Sequence, residues 1–385
     1  MSVTARARRL LQASWILLAV LGLPLLGRYL AGRDLTRLFV FPPPLEIPTD
    51  YPKFVPTAAL AILGLLLALA FAWWRGRPPA SADGRILEKD STRHRFPWWG
   101  WLALLWTLVS WLLAWTRFEA LARVQAFTFF PLWLGFVVLV NAYIVSRRGD
   151  SLMTRAPTRW LGLFAVSAGF WWVFEWLNRF VRNWHYLGVE AFGPATYAIH
   201  ASLCFSTVLP AIAAVAETLG TSRRWVAFAQ RGPACLWLQR RPTALLFLAG
   251  GSLALVFTGA WPKLFYPALW AAPLALLLGA DAWAPPERSV VDETAHGRWQ
   301  HALTWMAAAL VCGGFWEMWN VFSLAKWLYT VPGVQRWHVF EMPLLGYTGY
   351  LPFGLQCLLV VEWLTPGTWA TLSRPDGNAL TRESA

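Results

Sequence analysis

Ten apolar stretches, each about as long as a bilayer is thick, follow one another along the chain and constrain its fold more than any other feature. A lipid-spanning helix needs about 20 mostly apolar residues. Residues 11 to 31, 55 to 74, 97 to 115, 126 to 146, 159 to 178, 195 to 216, 243 to 261, 264 to 280, 299 to 321 and 343 to 364 meet or approach that requirement. Hydrocarbon offers no partner for a backbone N–H or C=O, so each stretch must satisfy its own by forming a helix. With 57% hydrophobic and 14% charged residues, and 28 Trp, the chain holds more apolar side chain than a water-soluble core can hide. The expected fold is all-α: a polytopic transmembrane helical bundle of about ten spans. Residues 195 to 216 carry polar side chains and 264 to 280 are few, so a re-entrant or tilted course is open for both.

The formal charge of +13 raises the question of nucleic acid. The basic residues, however, lie in short loops between apolar stretches and form no continuous phosphate track, so no nucleic-acid partner is expected. Assigning loops alternately to two sides places 22 Lys and Arg on the side of the N-terminus against 11 opposite. By the positive-inside rule both termini are then cytoplasmic. Arg outnumbers Lys 29 to 4, the bias of a GC-rich bacterial genome, which points to a bacterial inner membrane. Arg6, Arg8 and Arg9 before Leu11 have the look of a signal sequence. No small-residue cleavage site follows, and a retained first helix is expected. The cytoplasmic loops 75 to 96 and 217 to 242 are too short for a domain, although Trp225 to Trp237 suits a short surface helix. The tail from Thr365 to Ala385 is polar and expected to be unstructured.

Four landmarks recur in order. Ala114-Trp115-Thr116-Arg117 answers Ala260-Trp261-Pro262-Lys263, and Phe130-Pro131 with Trp133 answers Tyr266-Pro267 with Trp270. Phe174-Glu175-Trp176-Leu177-Asn178-Arg179-Phe180 answers Trp316-Glu317-Met318-Trp319-Asn320-Val321-Phe322, and Trp184-His185-Tyr186 answers Trp327-Leu328-Tyr329. The pattern divides the chain into an N-terminal helix pair with a basic loop (1–96), two parallel four-helix repeats (97–242 and 243–364) and the tail (365–385). Like-oriented repeats relate by an axis along the membrane normal.

The chemistry-bearing residues fall within those landmarks. Glu175 and Asn178, like Glu317 and Asn320, lie three apart and share a helical face. An ionisable group near the bilayer costs a few kcal/mol by insertion scales. A duplicated acid-amide pair therefore points to a polar pocket between the repeats, and equally to packing glue between helices. Trp184, Tyr186, Trp327 and Tyr329, with Phe174 and Trp316, are candidate substrate-binding rings, or belt anchors at the interface, where Trp and Tyr collect anyway. His338 and Glu341, three apart before Pro343, suit acid/base work, or a surface pair at a helix start. Pro131 and Pro267, with Pro210 and Pro352, are candidate helix breaks of the kind transporters use, or tolerated kinks. His185, His200, His296 and His301 form no ligand set, and Cys204, Cys235, Cys312 and Cys357 have no redox or zinc spacing, so no metal or other cofactor is expected. No phosphate loop or nucleophile elbow is present.

The stretch from Trp171 to Tyr186, with Pro131-Leu132-Trp133 upstream and Phe340-Glu341-Met342-Pro343-Leu344-Leu345-Gly346-Tyr347 downstream, resembles a family of uncharacterised bacterial multi-pass proteins. That resemblance covers about Trp106 to Glu362 and brings no established activity. More distantly, the layout is similar to the lycopene-cyclase domain of small membrane-bound carotenoid cyclases. In that family an acidic residue follows a Trp and precedes a Trp-x-Tyr by nine residues. Glu175 to Trp184 keeps the interval, with Phe174 for the Trp, whereas Trp316-Glu317 keeps the pair with an interval of ten. The family's Pro-x-Glu-Glu motif is absent, and Glu341 is its loose stand-in.

Together these features point to a membrane protein that binds or modifies a lipid or polyisoprenoid near the outer leaflet, with membrane lipids and a hydrophobic small molecule as partners. As an enzyme it would use Glu317 as proton donor, oriented by Asn320, with Glu175 or Glu341 second; burial favours the protonated form of a carboxyl group. Aromatic faces would stabilise a carbocation. The alternatives are a proton- or cation-coupled transporter and a non-catalytic scaffold.

Overall fold

The computed structural model describes residues 3–51, 53–75, 94–230, 232–285, 289–365 and 368. The tail after residue 368, and most of the loop 75 to 96, lie outside them. The principal helices are α1 (Val3–Leu30), α2 (Pro56–Arg75), α3 (Trp98–Trp115), α4 (Phe129–Arg148), α5 (Pro157–Val181), α6 (Pro194–Ser206), α7 (Val208–Gly220), α8 (Arg241–Ala260), α9 (Ala268–Trp283), α10 (Gln300–Asn320) and α11 (Tyr350–Leu364). Two four-residue strands, β1 (Trp184–Leu187) and β2 (Lys326–Tyr329), follow α5 and α10.

Every one of the ten apolar stretches is helical, and eight helical segments of the described residues are long and apolar enough to cross a membrane. The other two are α9, whose 16 residues reach about 24 Å at 1.5 Å each, and α10 with 21 residues. Both pack largely against other helices: Leu269, Ala272, Leu276, Trp305, Ala308, Cys312 and Trp319 are all buried, although Leu310 and Val311 of α10 are exposed. A helix that faces protein rather than lipid can be shorter or more polar, which is why these two fall below the others.

Contacts between helix ends show that successive helices run in alternate directions. At one end, Arg117 donates to the Phe322 carbonyl (2.8 Å), Arg179 to those of Leu38 and Val40 (2.7 and 2.8 Å), and Lys263 pairs with Asp50 (2.6 Å). At the other, Arg9 reaches the Glu362 carbonyl (3.2 Å), Arg148 that of Gly220 (2.8 Å), and Trp225 the Thr304 hydroxyl (2.9 Å). The strands lie at the first of these ends.

The helix boundaries follow local chemistry. Pro157 and Pro194 open α5 and α6, where a missing N–H costs nothing, and Gly149 (φ +89°) closes α4 in the left-handed conformation. The stretch 195 to 216 is neither re-entrant nor continuous: it breaks at Thr207 into α6 and α7. Ser167 of α5 bridges the break, donating to the Phe205 carbonyl (2.6 Å) and accepting from the Leu209 N–H (3.0 Å). Those freed backbone groups would otherwise be unpaired in an apolar layer. Pro210 sits beside this break, whereas Pro131 and Pro352 occupy first turns and Pro267 immediately precedes α9, so these three start helices rather than interrupt them. Between α7 and α8 the expected surface helix is a shorter one, Arg223–Ala229, followed by a 3-10 turn, Leu236–Gln239.

α1 joins the core by packing along α8. A Cβ at Gly27 would lie 1.8 Å from the Val256 carbonyl oxygen, and one at Gly259 would lie 1.9 Å from that of Pro24. Small residues let two helix backbones approach this closely in lipid, where dispersion rather than the hydrophobic effect drives association. α2 is the opposite case, with no buried residue along its length.

Candidate functional site

The acid-amide pairs sit at the last turns of α5 and α10, and the chain then enters β1 and β2. The two strands pair antiparallel, Trp184 with Tyr329, His185 with Leu328 and Tyr186 with Trp327. Each amide grips the chain leading into its strand. Asn178 accepts from the Asn183 N–H (2.7 Å) and donates to the Trp184 carbonyl (2.9 Å); Asn320 accepts from the Trp327 N–H (2.8 Å) and donates to the same residue's carbonyl (2.8 Å). A primary amide carries donor and acceptor side by side, as a neighbouring strand would, so it can dock a strand onto a helix end.

The carboxyl groups face rings. Glu175 accepts from Trp171 Nε1 (3.0 Å), Trp184 Nε1 (3.0 Å) and the Tyr186 hydroxyl (2.6 Å), all at Oε1. Glu317 Oε1 accepts from the hydroxyls of Tyr329 (2.7 Å) and Tyr350 (2.9 Å), and Trp327 Nε1 donates to the Tyr329 oxygen (2.7 Å). Glu317 is fully buried, and its Oε2 has no hydrogen-bond partner within the described residues. Space for the Tyr350 ring comes from Gly313, four residues before Glu317, where a Cβ would lie 2.4 Å from that ring. Next to the cradles two ring contacts join the helices: Trp133 of α4 packs on Trp316 of α10 (centroids 5.1 Å apart) and Trp270 of α9 on Phe174 of α5 (5.0 Å).

The rings open onto an apolar cavity of about 740 Å³. Trp184, Tyr186, Trp327, Tyr329 and Trp316 line it, together with Trp171 and Tyr350, while Phe174 lies below its wall against Trp270 and Phe353. One side is formed by α2, through Ile62, Leu65, Leu66 and Leu69 among others. The cavity size is that of pockets that enclose a small organic molecule, about 300–1,000 Å³.

Several expectations need correction. Asn320 does not orient Glu317, nor Asn178 Glu175: sharing a helical face brings each pair close, but the amides are used up by strand backbone and the carboxyls by aromatic donors. The two carboxyls do not share one polar space either, since each is closed off by its own cradle. His338 and Glu341 are not at a helix start. They lie on a tight hairpin, with His338 opposite Pro343 and Phe340 in the left-handed region (φ 57°) at its turn. His338 is exposed and meets Gln335 (3.1 Å), while Glu341 pairs with Lys326 (2.5 Å), so neither reaches the Glu317 cradle by hydrogen bonding. Trp171 was legible in principle, four residues before Glu175 on one helical face. Tyr350 comes from another helix, and nothing in its spacing signals it. No group of three or more His, Cys, Asp or Glu of the described residues is placed to hold a metal ion.

Fold and site together define a multi-pass helical membrane protein with an aromatic-lined cavity beside the strand pair. Comparison with protein-family models, curated proteins and solved structures gives no match.

Proposed function

We propose that this protein binds or modifies a lipid or polyisoprenoid taken laterally from the bilayer. The observation that carries this reading is the composition of the cavity wall: aromatic rings and aliphatic side chains on the inside, and on the lipid side a single helix, α2, with no buried residue. An apolar molecule could pass such a helix without entering water. The two halves act as copies of one unit about an axis along the membrane normal, and the reciprocal Trp133–Trp316 and Trp270–Phe174 contacts support this. The excess of basic residues on the N-terminal side favours cytoplasmic termini in a bacterial inner membrane, with the strand end outward.

In the catalytic version, Glu317 is the proton donor. Tyr329 and Tyr350 link its carboxyl group to the cavity, and the rings of Trp184, Trp316 and Trp327 stabilise positive charge in an olefinic substrate. The resemblance to lycopene-cyclase domains agrees with such chemistry.

The test is mass spectrometry of lipids and pigments that co-purify with the full chain in mild detergent, alongside extracts of cells with and without the gene. A bound isoprenoid or lipid, lost when Ala271→Trp fills the cavity, is the expected result. No bound species and unchanged extracts would overturn the reading and move weight to solute transport. Glu317→Gln should abolish turnover while leaving insertion intact if the chemistry is as stated.

A further inference from the structure

A second cavity, of about 750 Å³, lies against the first at the strand end of the bundle. Trp184, Tyr186, Val189 and Tyr197 belong to the walls of both, so the two cavities adjoin along these side chains. The two differ sharply in character. Six cationic side chains line the second: Arg28, Arg33, Arg37, Arg179, Arg182 and Lys263.

The acids on the same wall are mostly committed. Asp50 pairs with Lys263 (2.6 Å) and Glu46 with Arg182 (3.1 Å). Glu190 accepts from the Gly188 N–H (3.1 Å), and Glu175 is held by its three aromatic donors. Arg28 and Arg179 donate to backbone carbonyls, of Asp34 (2.6 Å) and of Leu38 and Val40 (2.7 and 2.8 Å). Among the described residues, none of Arg28, Arg33, Arg37 and Arg179 forms an ion pair with a carboxylate. Asp34 lies near Arg28 and Arg37, and Glu175 near Arg179, so part of this charge is offset within the chain; the four guanidinium groups still outnumber those two acids and repel each other unless a further anion lies among them. Phosphate, like a carboxylate, accepts two parallel N–H···O bonds from one guanidinium fork, and its greater charge and additional oxygens let it serve several forks at once.

We propose that the two cavities form one bipartite site for an anionic amphiphile, with a phosphate or diphosphate head among Arg33, Arg37 and Arg179 and a hydrocarbon chain among the ribbon rings of the apolar cavity. The inference rests on the apolar cavity being a lipid pocket and names the class of lipid: a phosphorylated prenyl chain or its equivalent. The shared wall is where head and chain would join.

Three probes test it on the full chain in nanodiscs of uncharged lipid, with quenching of tryptophan fluorescence as the readout: geranylgeranyl monophosphate, geranylgeraniol and inorganic phosphate. Arg33 and Arg37 are exposed, and among the described residues neither guanidinium forms an ion pair, Arg37 acting only by its charge near Asp34, so the double variant Arg33→Gln/Arg37→Gln should fold normally. The expected result is that the prenyl phosphate binds at least ten-fold more tightly than the alcohol. In the double variant that advantage shrinks at least ten-fold while the alcohol binds unchanged. Equal binding of phosphate and alcohol to the wild-type chain, or equal loss of both in the variant, overturns the bipartite site. So does inorganic phosphate binding as tightly as the prenyl phosphate, since the chain would then contribute nothing. If neither prenyl compound binds, and Ala271→Trp makes no difference, it is the lipid-pocket reading itself that has failed.

Discussion

Trp184 and Tyr329 lie opposite each other across the two-stranded ribbon, and Tyr186 and Trp327 repeat the relationship with the strands exchanged. Such a ladder has a local two-fold axis at the His185–Leu328 pair, as does any antiparallel pairing centred on equivalent residues. The ribbon therefore brings both acid cradles to the roof of one cavity, and the amides of Asn178 and Asn320 fix its height above the helix ends.

Because those amides pair with strand backbone, they should matter to stability more than to chemistry. Asn178→Ala or Asn320→Ala leaves buried backbone groups unsatisfied, at about 1–3 kcal/mol each. Either variant should lower the unfolding midpoint in detergent and loosen the ribbon, seen as a loss of near-ultraviolet circular dichroism. An unchanged midpoint would show that the ribbon is held some other way.

The contact of α1 with α8 gives a prediction with an internal control. Gly27→Ala and Gly259→Ala each drive a methyl group into a backbone carbonyl, and overpacking of this kind costs about 1–3 kcal/mol. At Gly22 and Gly250 a Cβ meets nothing within 4 Å, so Ala there should leave the midpoint unchanged or raise it slightly. If all four variants unfold alike, the close crossing is not what seats α1.

At the end away from the ribbon, Glu217 is buried at 1% exposure, pairs with Arg155 (2.9 Å) and accepts from the Leu152 N–H (3.0 Å). Arg155 also pairs with Asp150. Glu217→Ala removes one half of a buried pair and should cost on the order of 3 kcal/mol. Adding Arg155→Met should recover part of that loss, and a double-mutant cycle by denaturant unfolding measures the recovery. Strict additivity of the two changes would rule out the coupling.

Hydropathy made the fold legible in the sequence because lipid imposes one rule on every span, and all ten stretches are helices. The division between exposed and packed helices was less visible: α9 and α10 read as weak or ordinary spans, and only packing shows how much of each is buried against its neighbours. The site was half legible. Aromatic and acidic landmarks recurring in order pointed to Glu175, Glu317 and the four ribbon rings, and five of the six expected rings line one cavity. Pairing between β1 and β2, 145 residues apart at Trp184 and Tyr329, has no local signature, so the ribbon was missed. Without it the amides looked like partners of the acids, and Tyr350, which arrives from another helix, could not be anticipated.

His185 occupies the centre of the ribbon where the other strand has Leu328, and that difference carries a pH dependence. The Thr330 hydroxyl donates to the Arg182 carbonyl (2.7 Å), so its contact with His185 Nε2 (2.8 Å) requires the ring to be the donor. Burial, and then the positive charge of Arg182, lower the His185 pKa from 6.5 to about 4. Below about pH 6.5 the unfolded chain takes up a proton at this ring that the folded chain refuses until about pH 4, so stability contributed by the neutral ring is complete above that window and falls as pH drops through it. Unfolding midpoints measured in detergent at pH 7.5 and pH 5 should differ more for the wild type than for His185→Leu. That variant copies the opposite strand and has nothing to protonate at the position. The carboxyl groups titrate in both proteins and cancel in the comparison, so equal pH dependence of the two would mean that His185 is already hydrated, and that the ribbon is open to water at its centre.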